Sequence, residues 1–170
     1  MKRICFGFSL LELIIVITIV LLFSGLLLAQ YGNFIEQSRL KTEAKKLRDI
    51  LELAKKKTNV KEGTTCLIGF EGYEISVRND GYDLTDCCSG SCNSATPIHL
   101  YSLSSQTNTI SIVAGTGTIQ FVPNPSGTTL DTDLSINLMN SAIPSAAKCL
   151  RVTVSKVGII GVEDNFNSCT

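Results

Sequence analysis

Residues 7–29 read "GFSLLELIIVITIVLLFSGLLLA", an apolar run that contains one charged residue, Glu12. Residues 8–29 are 22 positions, which at about 1.5 Å per helical residue give roughly 33 Å, enough to cross a hydrocarbon core of ~30 Å. A secretory signal peptide is the competing reading, but its apolar core usually has ~7–15 residues and ends in a small-residue cleavage site. The run here is longer, and Leu27-Leu28-Ala29 matches such a site poorly. Lys2 and Arg3 precede it, so the positive-inside rule predicts a cytoplasmic N-terminus, a single pass, and everything downstream outside the cytoplasm. A carboxylate within a membrane helix costs roughly 2–4 kcal/mol even on lenient scales. Glu12 therefore calls for a partner.

Charge is unevenly distributed along the chain. Overall, 15 basic and 15 acidic residues cancel. Residues 36–61 hold 9 bases against 4 acids, whereas residues 62–170 hold 10 acids against 4 bases, Arg78, Lys148, Arg151 and Lys156. An acidic C-terminal part does not collect phosphate backbones by counterion release, which argues against nucleic acid as a partner.

Of seven cysteines, Cys5 lies before the span and Cys66, Cys87, Cys88, Cys92, Cys149 and Cys169 lie after it. Six cysteines in an exported domain fit three disulfides, whose connectivity spacing alone leaves open. Adjacent Cys87 and Cys88 must in any case take different partners. A zinc site is the alternative for "CCSGSC" (87–92), but one Cys-rich loop and a single histidine lack the paired spacing that structural zinc shows. No metal or other cofactor is expected.

A basic leader, then Gly7-Phe8-Ser9-Leu10-Leu11-Glu12, then a hydrophobic span resembles the prepilin-type signal of type IV pilins and type II secretion pseudopilins. The resemblance implies that a prepilin peptidase/methyltransferase cuts between Gly7 and Phe8 on the cytoplasmic side and N-methylates Phe8. Cutting there creates an α-amino group with a reference pKa of ~7.7–8.0, a cation at neutral pH. In this family that amine pairs with the carboxylate at the position of Glu12, between neighbouring subunits, and so sets filament register. A buried pair of this kind contributes specificity more dependably than net stability. Implied partners are the peptidase, other pilin or pseudopilin subunits, the inner-membrane assembly platform and membrane lipid. Many family members carry a proline late in the apolar half. Here Ala29 lies in that neighbourhood, between Gly25 and Gly32.

Beyond the span, Leu40, Ala44, Leu47, Leu51 and Ala54 are spaced 4, 3, 4 and 3, one apolar stripe on an α-helix. With no proline from Phe8 to Lys57, one continuous helix of about 50 residues and roughly 75 Å is predicted. The rest is strand-like: residues 64–70, 73–77, 82–84, 98–103, 109–113, 118–122, 135–139, 149–155 and 158–162 are short, β-branched and often alternating. Asn79-Asp80-Gly81 and Lys156-Val157-Gly158 supply hairpin turns, and residues 124–129 a loop. A long N-terminal helix followed only by strands is an α+β order, with the stripe laid on one antiparallel sheet. The expected organisation is a leader (1–7), a transmembrane assembly helix (8–30), its amphipathic continuation (31–61) and an extracytoplasmic β-rich head (62–170). "KCLRVTVSKVGIIGV" (148–162) is similar to the close of H-type (FimT/FimU-like) minor pseudopilins and minor pilins. A Cys149–Cys169 loop would instead resemble the C-terminal loop of major pilins.

No enzyme constellation emerges. His99 is the only histidine and is expected as a partly buried strand residue, and no base accompanies a serine or cysteine nucleophile. Asp80, Asp83, Asp86, Asp131 and Asp133 lack the full run of ligands of a calcium loop. The expectation is a pilin-like structural subunit, probed against two alternatives: a DNA-uptake (competence) pseudopilin, and a plain single-span membrane protein with an extracytoplasmic β domain.

Overall fold

The structure, a computed structural model, describes residues 10–64, 66, 68–92, 97–103, 109–123, 127–143, 149–163 and 169, and of residues 25–30 the backbone alone. Gly7 and Phe8 lie outside the described residues. Two compact units form, Met1–Ile35 and Glu36–Thr170, and a 51-residue helix, α1 (Leu10–Val60), contributes to both.

In the first unit, the segment Ile14-Ile15-Val16-Ile17-Thr18-Ile19-Val20 is β-branched at every position. In water such residues lower helix propensity. In a medium that offers the backbone no other hydrogen-bond partner, helix is the conformation that satisfies every N–H and C=O within one segment. Residues 10–24 are exposed on every face. Among the described residues no helix is long and apolar enough to cross a membrane.

In the second unit, α1 buries the predicted stripe: Leu40, Ala44, Leu47, Leu51 and Ala54 are at most 2% exposed, joined by Ile50 and Thr58. Each fully buried leucine contributes about 1.5–3 kcal/mol by leaving water. The helix stops in a Schellman turn, with Lys61 left-handed (φ 52°) and the Glu62 amide donating to the Lys57 carbonyl at 3.3 Å.

The strands are β1 (Phe70–Arg78), β2 (Gly81–Cys88), β3 (Ser91–Cys92), β4 (His99–Ser102), β5 (Ile110–Ala114), β6 (Gly117–Phe121), β7 (Leu134–Asn140), β8 (Cys149–Val154) and β9 (Ile160–Glu163). They form two antiparallel sheets rather than the single sheet expected. One runs β3-β2-β1-β6 with β4 also on β2; the other runs β5-β7-β8-β9. The inward faces of both sheets and the α1 stripe share one core, in which Tyr73, Ile75 and Leu84 of the first sheet and Ile136, Leu138 and Val152 of the second are fully buried. The chain alternates between the sheets, β4 and β6 lying in the first and β5 and β7 in the second, and the Ile112 amide of β5 donates to the Asn79 carbonyl of the β1–β2 turn at 3.0 Å.

Among the described residues of the expected strand 64–70, Thr64, Cys66, Ile68 and Gly69 are not in a strand. Only Phe70 enters β1, and the Cys66 amide instead donates to the Thr64 hydroxyl (3.0 Å), a local turn that competes with ladder pairing. Pairing of Phe70 with Cys88 and of Gly72 with Cys87 leaves Glu71 as a bulge. Gly72 has φ +137°, and a Cβ there would lie 1.9 Å from the Phe121 carbonyl oxygen, so no side chain fits. The anticipated turns at Asn79-Asp80 and Lys156-Val157-Gly158 connect β1 to β2 and β8 to β9.

Candidate functional site

The first candidate surface is the apolar helix of the first unit. Leu10, Leu11, Leu21, Leu22 and Phe23 are 64–76% exposed, and the isoleucines and valines between them are close to half exposed. An apolar patch of that extent marks a surface made for protein or lipid, and its distribution around the whole helix requires a partner on every side. The two hydroxyls in the run are satisfied locally: Thr18 donates to the Ile14 carbonyl (2.8 Å) and Ser24 to the Val20 carbonyl (2.7 Å). Each is thereby fit for an environment without water. Glu12, in the first turn of α1, is the acidic residue among them.

The second unit is tied to its helix by polar contacts that the sequence does not advertise. Asn140, fully buried at the end of β7, donates from Nδ2 to the Glu36 backbone carbonyl (3.2 Å) and to Glu36 Oε2 (3.0 Å), while its Oδ1 accepts from the Ala142 amide (3.0 Å). Lys55 donates to the Gly158 carbonyl (2.8 Å) in the β8–β9 turn. Thr58 donates to the Ala54 carbonyl (2.8 Å) and lies 3.4 Å from the Phe121 carbonyl. Past the helix end, the Tyr73 hydroxyl donates to the Glu62 carbonyl (2.6 Å). Of these, only Thr58 left a trace in the sequence: it continues the 4, 3 spacing one step beyond Ala54.

All six cysteines beyond the span are paired, Cys66–Cys88, Cys87–Cys92 and Cys149–Cys169. Cys87 and Cys92 are directly opposite across β2 and β3, joined by a Ser89-Gly90 turn in which both residues have positive φ (50° and 83°). The bulged Glu71 caps that turn by accepting from the Gly90 amide (2.8 Å). Cys66, Asp86 and Cys88, and likewise Glu74, Cys87 and Cys92, bring potential metal-ligand atoms within 4.8 Å of one another. With the sulfurs committed to S–S bonds, neither set offers thiolates.

The aspartates whose spacing falls short of a calcium loop are dispersed in the fold. Asp83 is buried against Arg78, Asp86 lies on the opposite face of β2 as the acceptor of Thr64 Oγ1 (3.2 Å), and Asp80 is exposed. Asp133 accepts from the Lys156 amide (3.0 Å). His99 is exposed rather than partly buried, because β4 is an outer strand of its sheet, and its ring lies 5.9 Å from the Tyr101 ring between centroids. A cleft of about 230 Å³ lies between α1 and β4, lined by Glu43, Lys46, Tyr82, Leu100 and Tyr101. Its acid and base neutralise each other at 2.7 Å. Burial pushes the Tyr82 hydroxyl far above the usual phenol range, with the Glu43 carboxylate adding to the shift. That tyrosine stays neutral and stacks on Tyr101 at 5.1 Å, an arrangement that packs rather than reacts.

No protein-family model matches the chain. It is 34% identical over 139 residues to a probable minor fimbrial protein of Dichelobacter nodosus, spanning 80% of this chain and 72% of that one. Two crystal forms of the type IV minor pilin FimU of Pseudomonas aeruginosa are similar in fold. The first has a TM-score of 0.58 at 16% identity, covering 81% of this chain and 99% of that one. The second has a TM-score of 0.54 at 14% identity, covering 76% and 99%.

Proposed function

The chain belongs to the type IV pilin superfamily, among its minor fimbrial, FimU-like members, and from that premise we propose how it matures, where it resides and how it assembles. It is a pilin-like minor subunit of a type IV pilus. Prepilin peptidase removes residues 1–7, and Phe8 becomes the methylated N-terminus. Until assembly the subunit is held in the inner membrane by its N-terminal apolar helix, with the β head outside the cytoplasm. The assembly platform then extracts it into the filament.

The observation that carries this reading is the helix exposed over residues 10–24 on every face, a surface that only a surrounding bundle or lipid covers. Within such a bundle, Glu12 pairs with the α-amino group of a neighbouring Phe8. The pair fixes axial position, since a carboxylate left alone there costs a few kcal/mol. The chain is assigned no catalytic reaction and no nucleic-acid ligand. The fimbrial relative favours a pilus over secretion or DNA uptake.

Intact mass and N-terminal sequencing of the protein from the membrane fraction test the reading. Methylated Phe8 as first residue supports it. A chain still starting at Met1 makes it an ordinary membrane anchor, and one starting at Gln30 a secreted domain. Glu12→Ala is expected to insert and be processed normally but to enter filaments poorly; undiminished incorporation removes the docking role.

A further inference from the structure

The cleft between α1 and β4 contains a buried tyrosine whose hydrogen-bonding capacity the fold leaves unused. Tyr82 is 1% exposed and lines the cleft, and among the described residues its hydroxyl has no hydrogen-bond partner. Tyr73, equally buried, shows the usual solution, its hydroxyl donating to the Glu62 carbonyl at 2.6 Å. Nor is the Tyr82 hydroxyl sealed away, since the one sealed and unpartnered side-chain oxygen among the described residues is Thr109 Oγ1. Buried polar groups in folded proteins are nearly always paired. Leaving one unpaired costs free energy that an incoming donor or acceptor restores.

The groups around that hydroxyl narrow the ligand class. Glu43 and Lys46 line the same cleft and pair with each other at 2.7 Å, so together they favour neither anion nor cation. Both keep hydrogen-bonding capacity beyond their mutual contact, because a carboxylate accepts at two oxygens and an ammonium carries three donors. The partly exposed Tyr101 ring, stacked on Tyr82 at 5.1 Å, adds a flat apolar wall. The Leu103 amide donates to the Asp80 carbonyl at 2.8 Å, so alternation along the β2–β4 register points the Leu100 amide and carbonyl away from β2, beside the cleft. We propose that this cleft binds a neutral hexopyranose, its apolar ring face on Tyr101 and its hydroxyls on Tyr82, Glu43 and Lys46. The cleft's volume of about 230 Å³ is below the ~300–1,000 Å³ of sites for drug-sized ligands, which suits one substituted ring. An extended peptide fits it less well, because β4 has only 4 residues and an added strand would gain few ladder bonds. The proposal concerns the head alone and does not rest on how the chain assembles.

The test is amide NMR on the isotope-labelled full-length chain in micelles of a polyoxyethylene detergent, which carries no sugar. D-glucose, D-galactose, D-mannose and N-acetyl-D-glucosamine, free and as methyl glycosides, are titrated to about 50 mM, well above the Kd on the order of 1 mM expected for a ligand of this size. At least one should move the signals of Glu43, Lys46, Tyr82 and Leu100 saturably. Tyr82→Phe keeps the ring and removes the hydroxyl, and should weaken that binding about five- to tenfold, with Glu43→Gln weakening it by a similar factor. A methyl glycoside that binds as well as its free sugar identifies the terminal residue of a glycan as the occupant. A free sugar that binds alone identifies a soluble one, and either result supports the proposal. No saturable shift with any of these sugars overturns it. So do undiminished binding in Tyr82→Phe, saturable shifts confined to other parts of the head, and tighter binding of D-glucuronate or D-glucosamine than of D-glucose. Near-UV circular dichroism checks the fold of both variants, and the wild-type titration decides without them.

Discussion

Within one unbroken helix, Leu10, Leu13 and Leu21 are 54–76% exposed while Leu40, Leu47 and Leu51 are at most 2% exposed. The secondary structure is identical; what differs is how many faces are apolar. Where every face is apolar the chain's own sheets have no single side to cover, so the partner must come from outside. Where apolar residues fall in one stripe, two sheets suffice to cover it.

The sharpest way to break this contrast is to place the same charge in both halves. Leu51→Asp buries an unpaired carboxylate and should cost more than ~4 kcal/mol, enough to unfold the head. Val16→Asp should leave the head's thermal unfolding, followed by near-UV circular dichroism, where it was, while depleting the protein from the membrane fraction. Equal effects on head melting would erase the distinction. Next in size, Cys149→Ser with Cys169→Ser opens a loop of sequence separation 20 and should cost ~3 kcal/mol in denaturant unfolding. Asn140→Ala should cost about 1–3 kcal/mol, because it strips a donor from the Glu36 carbonyl. Its signature is faster amide hydrogen exchange at the start of the second unit's helix, with the apolar half unaffected.

The smallest effect at neutral pH concerns Tyr82, whose folded-state pKa is raised by burial. A raised pKa means that its contribution is intact below the unfolded value of about 10 and is lost as pH climbs above it, when only the unfolded state releases the proton. Alkaline titration of the melting temperature should therefore turn downward above pH ~10, and less steeply in Tyr82→Phe. An identical slope in both proteins would assign the decline elsewhere.

How much of this could be read from the chain depended on whether a feature repeats locally. The 4, 3, 4, 3 spacing of Leu40 to Ala54 is a local period, and the structure buries those five residues. Alternation in Leu150, Val152 and Val154 likewise placed β8, whose even positions face the core. The division of the strands into two sheets depends on contacts between residues distant in sequence, such as Asn79 with Ile112, and leaves no periodic mark. β2 is buried at seven of eight positions, Asp83, Thr85 and Asp86 included. Partners on other segments satisfy these polar residues: Arg78, the Glu74 carbonyl and Thr64. Cysteine pairing stayed open for the same reason: Cys66 is bridged to Cys88 across 22 residues, beside the Ser89 amide that donates to the Gly69 carbonyl (2.8 Å).

The Cys66–Cys88 bridge has a mechanical consequence. The bridge closes a covalent loop that contains all of β1 and the β1–β2 turn. Adjacent Cys87 is bridged in turn to Cys92 of β3. If the hydrogen bonds between these strands open, their ends stay tethered, so the strands re-pair from a shortened search rather than from a free chain.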